Sequence, residues 1–108
     1  MNSLRKFFLP WYKANRPDVV ITHWLEAPRY MTEAGADIPH QDGYICLSVL
    51  GAPPHFSGFD QQPKLLGGRA AEMVISQLAH HDHGAPTIPT NTLMPALWVE
   101  GATVAPKL

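Results

Sequence analysis

The stretch SGFDQQPKLLGGRAAEMVISQLAHHDH, Ser57 to His83, joins an irregular segment rich in proline and glycine to the longest helix this chain can form. Leu66, Ala70, Met73, Val74 and Leu78 recur at three- and four-residue steps and make one apolar stripe, while Lys64, Arg69, Glu72 and Ser76 fall mostly on the other side. Asp60 is expected to be the N-cap, because its carboxylate can accept hydrogen bonds from free N–H groups of the first turn. Pro63 falls inside that turn, where its missing N–H costs little. Gly67 and Gly68 each weaken a helix by about 1 kcal/mol against alanine, so close packing of another backbone is the expected compensation. His80, His81 and His83 suit the negative end of the helix dipole when protonated. With Asp82 they invite a zinc reading, but the spacing is poor for one centre and no second ligand group is apparent. They are read as a solvated helix end, and no metal is expected.

Upstream lie two runs that read as strands buried on both faces. Asp18 to His23 (DVVITH) is continuously β-branched, and Gly43 to Leu50 (GYICLSVL) is apolar without alternation. Between them Leu25 to Ala34 reads as a helix, with Pro28 in its first turn, Tyr30 and Met31 inward and Gly35 as its stop. Strand, helix and strand over about 30 residues form a βαβ unit. Residues 1–16 form an aromatic segment with Phe7, Phe8, Trp11 and Tyr12, read as a short helix beginning near Pro10 and ending before Pro17. Downstream, Thr90 to Val99 reads as a final strand that Pro95 restricts to an edge or a bend. The fold class is α/β.

Composition narrows the function. An apolar fraction of 45% is that of a globular protein, so disorder throughout is excluded. A net charge of −1 without a basic block excludes a strongly electrostatic nucleic-acid surface. The single cysteine, Cys46, cannot form an internal disulfide and lies mid-strand as a small buried hydrophobe. No run reaches the roughly 18 apolar residues of a membrane span, and the apolar run after MNSLRK is broken by Pro10, so no signal peptide is read and a cytoplasmic location is expected. No serine elbow, phosphate loop or paired catalytic carboxylate is present, so no enzyme and no cofactor are expected. At 108 residues, few strands and helices leave a parallel sheet with open edges and incompletely covered faces. Such a chain either self-associates or is the end of something longer, and the second is the expectation.

The ordered set PDVVIT, AGADIPHQDGYICLSV, SGFDQQPKLLGGRAAEMVISQL and IPTNTLMPALWVEGAT resembles the C-terminal third of LacI-type transcriptional regulators. Pro17-Asp18, Ile38-Pro39 with Asp42, Gln61, Leu66-Gly67 with Ala70-Ala71, and Val99 to Thr103 occupy the family's places, over about residues 16–104. The resemblance implies an incomplete periplasmic-binding-protein-like (type I) sensor domain. Residues 17–56 would be the end of its C-terminal lobe, 57–89 the crossover and a helix of the other lobe, 90–104 the returning strand, and 105–108 a tail. It also implies a small-molecule effector such as a sugar or nucleobase, and a homodimer. DNA contact would come only through a helix-turn-helix that these residues do not contain. One departure bears on the effector: Leu47-Ser48-Val49 stands where many members carry an acidic pair that holds sugar hydroxyls.

Strand C-termini in open α/β sheets face the ligand crevice, which places His23, Trp24, Ser48 and Val49 there. Trp24 can stack on a ligand ring or simply cap the core, and His23 can hydrogen-bond or lie solvated at a strand end. By the resemblance, Asp60 and Gln61 sit at the crossing between lobes, and the glutamine is ligand-proximal or a hinge residue. The expected function is therefore the ligand-sensing portion of a LacI-type regulator. The alternative is a stand-alone α/β binding or dimerisation module without a DNA-binding role.

Overall fold

The structure, a computed structural model, describes residues 2–105, so of the tail only Ala105 is described. Seven elements follow one another: α1 (Asn2–Asn15), β1 (Val19–Thr22), α2 (Ala27–Glu33), β2 (Gly43–Cys46), β3 (Gly58–Asp60), α3 (Pro63–Ala79) and β4 (Leu97–Val99). The sheet has the order β1-β2-β3-β4, parallel up to β3 and antiparallel between β3 and β4. The protein is α/β with a mixed, mostly parallel sheet. Two compact units divide the chain: Met1–Asp60 with Leu97–Leu108, and Gln61–Ala96.

In the first unit the register sorts side chains onto two faces. Val20 pairs with Tyr44, and Thr22 with Cys46, on one face. That face carries the core, where Val20, Tyr44 and Cys46 meet Tyr12 of α1, Ala27 and Met31 of α2, and Phe56. Helix α1 begins well before Pro10 and carries this proline inside it, contrary to the expected start near Pro10. A mid-helix proline loses one hydrogen bond and crowds the preceding turn. Burial of Tyr12 and partial burial of Phe8 against the sheet offset that cost. Helix α2 stops at Gly35, whose φ of +97° lets the Ala36 N–H turn back to the Met31 carbonyl at 2.9 Å.

Strand β2 ends at Cys46, four residues short of the expected Leu50, because the chain then turns through Ser48 to Ala52. The segment after β4 runs along β2 as a strap. The Tyr44 N–H donates to the Thr103 carbonyl (2.8 Å), and the Thr103 hydroxyl donates to the Tyr44 carbonyl (2.7 Å). The Ser57 N–H donates to Thr103 Oγ1 (2.9 Å), and the Thr103 N–H to Ser57 Oγ (3.3 Å). Ser57 and Thr103 are both buried, so these bonds satisfy polar groups that water does not reach. Gly101 passes so close that an added Cβ would lie 2.6 Å from the Phe56 carbonyl oxygen.

The second unit is built on α3, whose extent matches the periodicity of the sequence. Its N-cap position is Gln62, not Asp60. Asp60 belongs to β3, where it pairs with Leu97, and Gln62 turns the chain with a left-handed φ of 53°. The sheet ladder claims Asp60 before the helix can begin. Every residue of α3 is exposed, including the apolar stripe.

Candidate functional site

Because β1, β2 and β3 are parallel, their C-terminal ends lie along one edge of the sheet. His23 and Trp24 follow β1, Ser48 and Val49 follow β2, and Asp60 ends β3, so these five residues belong to that edge. Gln61 opens the second unit, one residue beyond it.

The six side chains are not equivalent. His23 is exposed. Trp24 is half-buried and packed into the aromatic core, with ring centroids 5.4 Å from Phe8 (edge-on) and 5.3 Å from Tyr30. It is therefore part of the wall of the unit more than an open plate. Its backbone is held at both ends: the N–H donates to Thr22 Oγ1 (3.1 Å), and the carbonyl accepts from the Tyr44 hydroxyl (2.8 Å). Ser48 is half-buried, and its carbonyl accepts from Cys46 Sγ at 3.0 Å. Val49 packs against the core, and its N–H donates to the Phe59 carbonyl (2.9 Å). Asp60 is half-buried and Gln61 exposed. His23, Ser48 and Asp60 thus supply an imidazole, a hydroxyl and a carboxylate on one edge, a set able to donate and accept hydrogen bonds toward a polar ligand.

Tyr44 sets the position of the β1 end. Its ring is fully buried against Phe56 (5.3 Å), and its hydroxyl reaches the Thr22 carbonyl (3.2 Å) as well as that of Trp24. Burial, seconded by Cys46 beside it, pushes the phenol pKa far above the ordinary value. Burial also raises Tyr12, with the Asp42 carboxylate acting in the same direction. The linkage has a definite sign. Above about pH 10 an unfolded tyrosine loses its proton while these two keep theirs, so stability falls as pH rises. Urea melts between about pH 9 and pH 11 should show that fall, and Tyr44→Phe should make it shallower. An equally steep fall in the variant would remove Tyr44 as its source.

A concavity away from the strand ends has no signature in the sequence. An open groove of about 520 Å³ runs beside α2, lined among others by Leu25, Pro28, Arg29, Ile38, His55 and Phe56. Three distant segments build it, and only the strap brings the third, Ala102 and Thr103, into place. Its walls are mostly apolar. The Arg29 guanidinium is engaged by the Tyr30 hydroxyl (2.9 Å) and Glu26 (3.4 Å). Elsewhere, His80 Nδ1 lies 2.8 Å from the Ser76 carbonyl at the end of α3. Among the described residues no three His, Cys, Asp or Glu side chains are grouped to hold a metal, and no helix is long and apolar enough to cross a membrane. No family model, curated protein or solved structure matches the chain.

Proposed function

We propose that this chain is the ligand-sensing portion of a LacI-type transcriptional regulator, the C-terminal part of a periplasmic-binding-protein-like effector domain. The observation that carries this reading is the route of the chain. It leaves the first unit after Asp60, builds α3 in a separate compact unit, and returns at Leu97 to pair beside the strand it left. Two adjacent connections of this kind are what a two-lobed sensor needs to hinge by a few backbone torsions. The order of residues from Pro17 to Thr103 supports the same family.

In this reading the effector is a small polar molecule, a sugar or a nucleobase. It meets His23, Ser48 and Asp60 at the strand ends, with Trp24 and Val49 behind them and Gln61 at the crossing. The effector would shift the balance between two lobe arrangements, and DNA contact would lie with a helix-turn-helix outside these residues. An NMR titration with millimolar sugars and nucleobases tests this. The expected result is a set of backbone shifts confined to residues 22–24, 47–49 and 59–62. Shifts confined to the groove beside α2, or none, would sink the assignment.

One observation favours the alternative, a stand-alone interaction module: within the first unit taken by itself, α1 and α2 both pack on the same face of the sheet, the one that carries the core.

A further inference from the structure

Helix α1 turns an apolar side away from the unit it belongs to. Tyr12 is buried in the core and Phe8 packs partly against it, so these two residues mark the inward side of the helix. The outward side of a surface helix is ordinarily charged or polar. Here it carries Phe7, Pro10, Trp11 and Ala14, all exposed, with Leu4 beside them. Phe7 is 74%, Trp11 50% and Leu4 47% exposed. These three follow at three- and four-residue steps, so they make one stripe and not a scatter of single apolar residues.

Charge on this helix has a pattern of its own. Four of the chain's eight Lys and Arg residues fall within residues 1–16 and none of its nine Asp and Glu residues does, so a cationic segment precedes an anionic remainder. Two of the four are committed to the body of the unit. Arg5 pairs with Glu33, while Arg16 donates to the Ala34 carbonyl (3.3 Å) and lies 3.9 Å from Asp42. Lys6 and Lys13 are exposed, and among the described residues neither has an ion-pair partner. Being seven residues apart, they stand in line along one border of the outward side.

We propose that α1 is a docking surface for an anionic lipid bilayer. The helix lies in the plane of the membrane, with Leu4, Phe7 and Trp11 among the headgroups and upper acyl chains and with Lys6 and Lys13 against anionic headgroups. Large apolar residues on one side, lysines at its border and no acid on the helix form the pattern by which interfacial helices bind. Tryptophan in particular suits the headgroup level, because its ring is apolar and its N–H is polar. At 14 residues α1 is shorter than the roughly 20 that a membrane span needs, and its inward side is held in the core, so it rests on the bilayer and does not cross it. Tyr12, Arg5 and Arg16 already fix the helix on its unit, so docking meets little of the ordering cost that a disordered anchor would. This inference goes beyond the sensor reading and does not depend on it.

The test is cosedimentation of the whole chain with phosphatidylcholine vesicles, with and without phosphatidylserine. The parent chain is expected to pellet with the anionic vesicles, to stay largely in solution with the neutral ones, and to be released by high salt. Phe7→Ser combined with Trp11→Ser should abolish pelleting. Lys6→Gln combined with Lys13→Gln should weaken it at least about tenfold. Lys64→Gln, outside α1, should leave it unchanged. All of these positions are exposed, so each variant should keep the far-UV spectrum of the parent. Brominated lipid quenches the tryptophans it touches. It should quench the parent chain but scarcely the Trp11→Phe chain, which keeps the apolar stripe and still binds. A folded parent chain that ignores anionic vesicles overturns the proposal; if it then self-associates or captures polyglutamate through Phe7 and Trp11, the occupant is a protein. Pelleting that survives the loss of Phe7 and Trp11 overturns it too, as does equal quenching in Trp11→Phe, since either puts the contact elsewhere on the chain. Lysine variants that bind like the parent also overturn it, because the contact would then not read charge.

Discussion

Gly58→Ala should abolish cooperative folding of the first unit. A Cβ at this position would lie 2.1 Å from the carbonyl oxygen of Cys46 and 2.9 Å from both its carbonyl carbon and Val49 Cγ1. The first two are backbone atoms of the adjacent strand, so no side-chain rotation relieves the overlap. Cys46 and Gly58 are the register partners that join β2 to β3, and the Cys46 N–H donates to the Ser57 carbonyl at 2.9 Å. Separating these strands by the ångström or more that a methyl group needs breaks that ladder. The expected loss exceeds about 4 kcal/mol, in the tail of single-substitution effects and comparable with the whole stability of a small domain. Gly67→Ala is the control, since an added Cβ there meets nothing within 4 Å and helix propensity predicts a gain of about 1 kcal/mol. Urea melts followed by circular dichroism decide the matter. A Gly58→Ala chain that melts like the parent would mean that β2 and β3 do not approach as described.

Tyr44→Ala should cost about 3–5 kcal/mol, the usual range for removing a buried aromatic side chain. Its ring is at zero exposure, faces Phe56, and carries the hydroxyl that holds the Trp24 carbonyl at the end of β1. Tyr44→Phe keeps the ring and loses only the hydrogen bonds, so about 1–2 kcal/mol is expected. The two variants separate packing from positioning. Both should speed amide exchange from residues 23 to 25, whereas only the alanine variant should lower the denaturation midpoint strongly. Unchanged exchange in Tyr44→Phe would show that the end of β1 is held by something else.

Much of this architecture was legible in the residues themselves. The β-branched run after Pro17, the helix that Gly35 ends and the stripe from Leu66 to Leu78 announced β1, α2 and α3, because hydrophobic period and chain-breaking residues are local signals. Misreadings arose where a distant contact decides. Asp60 looks like a cap until Leu97 pairs with it, and Pro10 looks like a helix start until Tyr12 is seen buried in the core. The stripe on α3 is a matter of period, and a period says only that a helix has an apolar side, not what packs on it. For the candidate edge, strand direction located the strand ends correctly on the sheet. It said nothing of Trp24 packing against Phe8 and Tyr30. The groove beside α2 had no local signal at all, since the strap that completes it lies some fifty residues beyond its other walls.

The sheet-bearing unit is discontinuous along the chain: its last strand and strap follow the whole of Gln61–Ala96. This has a kinetic consequence. Bringing β4 to β3 closes a loop of that length, an entropic cost of roughly 3 kcal/mol by the logarithmic loop law before any contact offsets it. Non-local pairing of this kind slows folding. On a ribosome, β1, α2, β2 and β3 emerge first and wait, with the buried bonds of Ser57 and Tyr44 to Thr103 unmade, until Thr103 itself has left the exit tunnel. Docking of the strap thus completes the sheet-bearing unit, and the nascent unit is expected to stay vulnerable to proteases and to other sticky chains until that step is complete.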